Sequence, residues 1–379
     1  MADVARRSWT SWAWLAIVPW IALLSAPGVF RTHDLTYTDP QVFRSAIELL
    51  RENRSPYDPE RQRQYISVHF LDGWTPPYVI PFAYPPNAFA LLAPYGVGSP
   101  ETGYLLFNAL TTLWFLVALW RLLRGSVASA PQQALCFALF AVSLPVLFNA
   151  LLGQTGCLLG ALAATFVGSY PRGSRAAGIS LGLLAFKPQY AVFLALLPLI
   201  QRRFAVLAWA AAAFAATVLA SGVAFGFGAW RGFVDALGRY NITAPWMSNW
   251  QSFANSPLSS RVTLTVMVAA AIGLAVLCFF LLRYGARTEA ALAVLLLAAP
   301  FFSPNTHPYD LTLWGPALCL AAQAFRLPRP AWLFLAVIGL SWCFHGPPTR
   351  VVLALISPCL AAWVCWTAWR SARAPAHSG

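Results

Sequence analysis

The sequence predicts an all-α polytopic membrane protein, and three observations predict it. Of 379 residues, 59% are hydrophobic and only 10% charged, against about a quarter charged in a soluble domain. Apolar stretches of roughly 20 residues recur along the chain, long enough for helices that cross a bilayer. Arginines sit at the ends of these stretches, as topology signals do. The pattern predicts a single membrane domain over residues 1–379, with no appended soluble domain.

The formal charge of +13 does not read as a nucleic-acid footprint. The basic residues are spread over the ends of apolar stretches, where they meet lipid headgroups, and no nucleic-acid-binding motif accompanies them. The seven cysteines lie in or beside apolar stretches, without zinc-like spacing, and read as small hydrophobic filler. The basic residues are 24 arginines and one lysine, Lys187. An Arg- and Ala-rich composition fits a GC-rich bacterial source, so a bacterial inner (plasma) membrane is the expected location.

Residues 10–30 form the first span. Ser25-Ala26-Pro27 loosely resembles a cleavage region, but an uncleaved span suits a chain that is membrane-embedded throughout. Arg6 and Arg7 before it place the N-terminus in the cytoplasm. The loop 31–84 is then external. It holds seven of the twelve acidic residues: Asp34, Asp39, Glu48, Glu52, Asp58, Glu60 and Asp72. Within it Val42, Ala46, Ile47, Leu49 and Leu50 share one helical face, which predicts an amphipathic helix over 41–53 lying at the membrane surface. Asp39-Pro40 fits its start, an Asp cap followed by Pro at the first helical position.

Residues 87–97 are apolar but too short to cross, and are expected to dip in and return. Spans follow at 101–124, 131–150 and 153–170, the last two joined by Leu152-Gly153-Gln154. The apolar stretch 176–200 carries Lys187-Pro188 at its middle. As one span it would put Arg172 and Arg175 inside but Arg202 and Arg203 outside. A broken pair of half-spans keeps all four inside, and such breaks are tolerated where buried in protein or lining a wet cavity. A span at 204–226 leads to a second external loop, 227–261, with a short helix near Trp230–Tyr240. Spans at 262–283, 288–303, 309–325, 330–345 and 350–369 complete ten full spans plus the broken pair, about 10–12 transmembrane helices, with both termini cytoplasmic.

This topology, built from the arginines alone, brings Asp34, Asp39, Gln154, Asn241, Asn249, His307, Asp310 and His345 to or near the external face. Lys187 needs compensation, because an ionised lysine at mid-membrane costs about 2.5–3.5 kcal/mol. A structural partner such as an Asp would supply it. So would a bound anion such as a lipid-linked phosphate, helped by N–H donors of the half-helix after Pro188. The run from Ser303 to Asp310 reads either as a capped turn or, with ionisable His307 and Asp310 at a span edge, as part of a site. Sugar transfer from a phosphate-linked donor needs a base for the acceptor hydroxyl and cationic or N–H groups for the leaving phosphate. A first-loop carboxylate, Asp34 or Asp39, together with Lys187 meets that minimum. An Asp-x-Asp pair for a divalent metal is absent, so a lipid-phosphate leaving group with no metal cofactor is expected. A transporter or flippase of lipid-linked sugars would use the same buried lysine without a base, and a non-catalytic membrane scaffold would need neither. No convincing internal repeat supports the transporter reading.

Asp39 lies 17 positions before Pro56-Tyr57-Asp58. Tyr84-Pro85-Pro86, Leu152-Gly153-Gln154, Ala177-Gly178, Phe186-Lys187-Pro188-Gln189, Ser303-Pro304 and Tyr309-Asp310 follow in order. This series resembles glycosyltransferase family 87 over about residues 35–325. The family has the glycosyltransferase-C architecture and includes polyprenol-phosphate-mannose-dependent α-mannosyltransferases and related arabinofuranosyltransferases. The resemblance implies an inverting, metal-independent transfer, most simply of mannose, from a polyprenyl-phosphate donor to a lipid-linked or polysaccharide acceptor. It implies a general base in the first external loop, which maps onto Asp39, with Asp34 as the alternative. Donor-phosphate binding by Lys187, and a sugar or acceptor site lined by Asp34, Gln154, His307, Tyr309 and Asp310, complete the expectation. Two positions depart from the family pattern: Asn53 stands where Gly is usual, and Pro40 where an apolar residue is usual.

Overall fold

The computed structural model describes residues 39–76, 82–126, 128–237, 260–327, 329–343 and 350–373. The expected first span, Asp34, Asn241, Asn249 and His345 lie outside the described residues. Every regular element among them is helical: α1 (Asp39–Arg51), α2 (Pro59–Phe70), α3 (Pro100–Arg124), α4 (Ala130–Ala141), α5 (Leu144–Leu152), α6 (Gly156–Ser169), α7 (Arg175–Leu183), α8 (Pro188–Ile200), α9 (Phe204–Phe225), α10 (Gly228–Leu237), α11 (Ser260–Arg283), α12 (Thr288–Phe302), α13 (Trp314–Ala324), α14 (Ala331–Cys343) and α15 (Arg350–Arg373).

Three described helices are long and apolar enough to cross a membrane: α3, α9 and Arg261–Arg283 of α11. The pair α4 and α5, bent by 41°, makes a fourth candidate. The expected first span lies outside the described residues, and among those described, burial within the protein accounts for two of the other expected spans, 288–303 and 309–325. In α12 every residue from Ala290 to Pro300 is buried. Its 15 residues rise only about 22 Å, short of a roughly 30 Å hydrocarbon core. The expected span 309–325 opens with a 3₁₀ turn (Pro308–Leu313) and leaves 11 residues for α13. A helix that is apolar on all sides belongs inside a protein as readily as in lipid. By contrast, α9 and α11 each bury only 17% of their apolar window, so their side chains form the outer wall.

The broken pair is as expected. Helix α7 ends in a 3₁₀ turn (Leu184–Phe186), the chain breaks at Lys187, and Pro188 opens α8. Gly178 of α7 packs on Val206 and Trp209 of α9, and Gly182 packs on Ala210 and Ala213. The rising numbers on both sides mean that α7 and α9 run parallel, so α8 between them runs back. Tyr170 donates to Gln201 at 2.8 Å, and the Arg203 guanidinium donates to the Tyr170 carbonyl. Arg172, Arg175, Arg202 and Arg203 therefore share one face.

Other helix ends meet on that arginine face. Gln201 donates to Thr288 at 3.1 Å, Gln323 to the Leu122 carbonyl at 2.8 Å, and Arg287 to the Gln323 carbonyl at 3.1 Å. The opposite helix ends carry the polar loops. There the rings of Phe89 and Phe225 lie 5.5 Å apart, and those of Tyr57 and Phe233 lie 5.7 Å apart.

The first loop differs from expectation in two respects. The apolar face of α1 is covered by the chain: Val42, Ala46, Ile47, Leu49 and Leu50 are all buried, and Phe43 packs on Phe82, Tyr84 and Tyr95. Its acidic residues do not make a negative patch either, because neighbouring arginines pair with them. The pairs are Arg44–Glu48, Arg54–Glu52, Arg61–Asp58 and Arg63–Glu60, at 2.7, 3.3, 3.1 and 2.6 Å. Asp58 also caps α2, accepting from the amides of Glu60 and Arg61. Asn53 takes the left-handed backbone conformation, φ 56°, which asparagine tolerates better than most residues and which accounts for its standing in for Gly.

Candidate active site

Five segments meet at the polar face: the start of α1, the Tyr84 segment, the α5–α6 turn, the Lys187 break and the 303–310 turn that faces it. Glycines set the α5–α6 turn. Gly153 adopts φ 59°, and a Cβ there would stand 2.4 Å from the Tyr104 ring. A Cβ on Gly156 would stand 2.1 Å from the Tyr309 carbonyl oxygen. Thr312 fixes the same contact by donating to the Gly156 carbonyl at 2.6 Å. The turn is also tied from the other side, where the hydroxyl of Tyr95 donates to the Gly153 carbonyl. Gly156→Ala forces backbone apart and is expected to cost about 1–3 kcal/mol, read as a lower Tm. Gly273→Ala, inside α11 with nothing within 4 Å of its Cβ, should not lower Tm and should raise it slightly, since Ala favours a helix interior over Gly.

Gln154 is presented by this turn and is buried. Its Oε1 faces the Thr155 amide at 3.4 Å and the Tyr84 hydroxyl at 3.5 Å, while that hydroxyl and Thr155 Oγ1 lie 2.8 Å apart. The amide NH₂ is thereby the end left to donate to Asp39, its hydrogen-bond partner. Asp39 opens α1 and is half-buried. Burial raises its pKa from 3.8 to about 6, against the lowering effects of the Gln154 hydrogen bond and the Lys187 charge.

Lys187 is buried, and its ammonium meets Asp310 Oδ1 at 2.5 Å. Of the two partners weighed from sequence, a structural Asp and a bound anion, the Asp is present. Asp310 Oδ2 accepts from the Tyr190 hydroxyl and the His307 amide, both at 3.2 Å. The Tyr190 hydroxyl also lies 3.0 Å from Thr306 Oγ1. One carboxylate thus holds the 303–310 turn against the Lys187 break. Around the ammonium stand the rings of Tyr309, Tyr84 and Tyr190, with centroids 5.3, 5.6 and 6.0 Å away. Such distances allow cation–π attraction. His307 stacks on Tyr309 at 5.1 Å.

Asp39, Gln154, Lys187, His307, Tyr309 and Asp310 are therefore brought together through a continuous set of contacts. Asp34 lies outside the described residues. Tyr190, Thr155 and Thr306 were missed from sequence, and Tyr84 was noted as part of a motif without a site role. Tyr190 had a usable signal, since it lies three residues past Lys187 and so on the same helical face.

The model of glycosyltransferase family 87 matches residues 82–304, which is more than half of the chain. The chain belongs to glycosyltransferase family 87. No curated protein matches it at a significant level. The matched region of this glycosyltransferase contains Tyr84, Gln154 and Lys187, and Asp39 precedes it. Family membership makes the protein an enzyme that transfers a sugar from a donor to an acceptor, and its apolar helices make it a membrane protein.

Proposed function

We propose that this enzyme transfers a sugar, mannose being the first candidate, from a polyprenyl-phosphate donor to a hydroxyl of a glycolipid or glycan acceptor. The transfer takes place at the polar face, external in a bacterial inner membrane, within a glycosyltransferase-C-like architecture. Asp39 takes the acceptor proton as the acceptor oxygen attacks the anomeric carbon. The bond from that carbon to the phosphate oxygen breaks, and the lipid phosphate leaves on the opposite side, which inverts the configuration. No metal takes part in this scheme. The observation that carries the reading is the Asp39 carboxylate, partnered by Gln154, in the same polar cluster as Lys187; burial there lifts its pKa to about 6. A base poised near the working pH transfers protons most effectively.

Lys187 steadies the leaving phosphate. An ammonium has three donors; Asp310 and the Tyr84 hydroxyl take two, and the third is left for the phosphate. Tyr309, His307 and Gln154 line the sugar and acceptor positions, and Asp310 aims Lys187. Helices α1 and α2 present the site to lipid substrates at the interface. Purified enzyme with a polyprenyl-phosphate sugar and candidate acceptors should give glycosylated product. Lys187→Ala should weaken donor binding, and unaltered donor affinity in a folded variant would remove lysine from this role.

Gln154 contributes a second testable element. Its hydrogen bond favours the ionised form of Asp39, so Gln154→Leu should raise the Asp39 pKa further. The acid limb of the rate profile then moves to higher pH, and activity falls more at pH 6 than at pH 8. A uniform loss at both pH values would leave Gln154 with substrate contact alone and no part in tuning Asp39.

A further inference from the structure

On the arginine face the helix ends enclose a cavity of about 370 Å³, lined by α3, α6, α12 and α13 and by none of the candidate active-site residues. It is elongated. Trp114 and Arg121 of α3 both line it, seven residues and so about 10 Å apart along the helix axis. Its outer end carries Arg121, Arg172 and Gln323, and its deeper wall includes Val117 and Trp114. Val117 and Trp114 are also 40% and 37% exposed, so the apolar wall continues onto the surface that faces hydrocarbon. Glu289 is the carboxylate in the wall, and Arg287 pairs with it at 3.6 Å. Arg172 donates to the Gly168 carbonyl at 2.8 Å, which holds it at the cavity mouth.

We propose that this cavity binds an anionic phospholipid from the leaflet on the arginine face, with its headgroup phosphate between Arg121 and Arg172 and an acyl chain along Val117 and Trp114. Guanidinium groups suit phosphate oxygens, and basic pockets between membrane helices suit acidic headgroups. A choline lipid carries its own cation, which two arginines disfavour. Topology signalling alone accounts for arginines at this face, but not for a lengthwise cavity that is cationic at one end and apolar at the other.

The test uses the full chain, purified and delipidated, titrated with phosphatidylglycerol or phosphatidylcholine and read by native mass spectrometry. One phosphatidylglycerol should bind in preference to phosphatidylcholine. The double variant Arg121→Gln/Arg172→Gln should lower that affinity on the order of tenfold. Arg283→Gln/Arg370→Gln removes equal charge from the same face outside the cavity and should leave the affinity unchanged. Val117→Trp fills the apolar part from its exposed side and should also weaken the lipid, with no change of charge. Equal loss in the control pair, full retention in the cavity variants, or equal binding of phosphatidylcholine overturns the proposal. So does displacement of the lipid by an equal concentration of glycerol 3-phosphate, which would assign the cavity to a soluble phosphate.

Discussion

Asp39→Asn is expected to lower turnover by roughly 10²- to 10⁴-fold, the usual contribution of a positioned base, with the protein still folded. Asparagine is as good as aspartate at a helix start, so the loss cannot be put down to unwinding of α1. In the parent enzyme the rate should rise with pH through about 6, the Asp39 pKa, and then level off, since the ionised carboxylate is the active form. Stability should move the other way. A folded-state pKa raised from 3.8 to about 6 means that ionisation is disfavoured in the folded protein. That penalty is absent below the unfolded value, grows through the window between the two, and is complete above it. Asp39→Asn should therefore raise Tm at pH 7.5, by at most about 3 kcal/mol of stability, and bring no gain near pH 4. Full turnover in Asp39→Asn at equal protein level would move the base to another group, and Asp34→Asn is then the variant to measure.

Asp310→Ala should be the most destabilising single change in the candidate site. It leaves the Lys187 ammonium buried without its carboxylate, and removing one member of a buried pair costs about 3–5 kcal/mol. It also frees the Tyr190 hydroxyl and the His307 amide from their shared acceptor. Lys187→Met/Asp310→Leu removes both charges and should recover much of the lost Tm, because apolar replacements of buried pairs are often neutral. Activity separates the two uses of Lys187. If the lysine only balances Asp310, the double variant keeps its turnover. If it also steadies the donor phosphate, the double variant is stable, inactive and poor at binding donor.

The features legible in the sequence were those with a local or periodic cause. The start of α1 at Asp39 followed from Asp-Pro. The break at Lys187 followed from Lys-Pro within an apolar run. The shared face of Arg172, Arg175, Arg202 and Arg203 followed from charge bias, and the parallel packing of α7 and α9 through Gly178 and Gly182 satisfies it. Whether α12 faces lipid or protein was not legible, because hydropathy reports burial without saying which of the two does the burying. The Lys187–Asp310 pair left no local trace, since its members lie 123 residues apart. The orientation of Gln154 was hidden for a similar reason: it depends on Tyr84, 70 residues earlier. The acidic composition of the first loop misled, because each of its paired carboxylates has an arginine within a few residues.

The distance in sequence between Lys187 and Asp310 also sets a clock during synthesis. At about 5–20 residues per second, the lysine is made roughly 6–25 seconds before the aspartate that will neutralise it. Throughout that interval the nascent chain holds an unmatched cation at a position costly for a bilayer. The Lys187 hairpin therefore cannot settle until α12 and the turn after it have left the ribosome. A chain that stalls before residue 310 lacks the carboxylate that pairs with Lys187 in the finished enzyme.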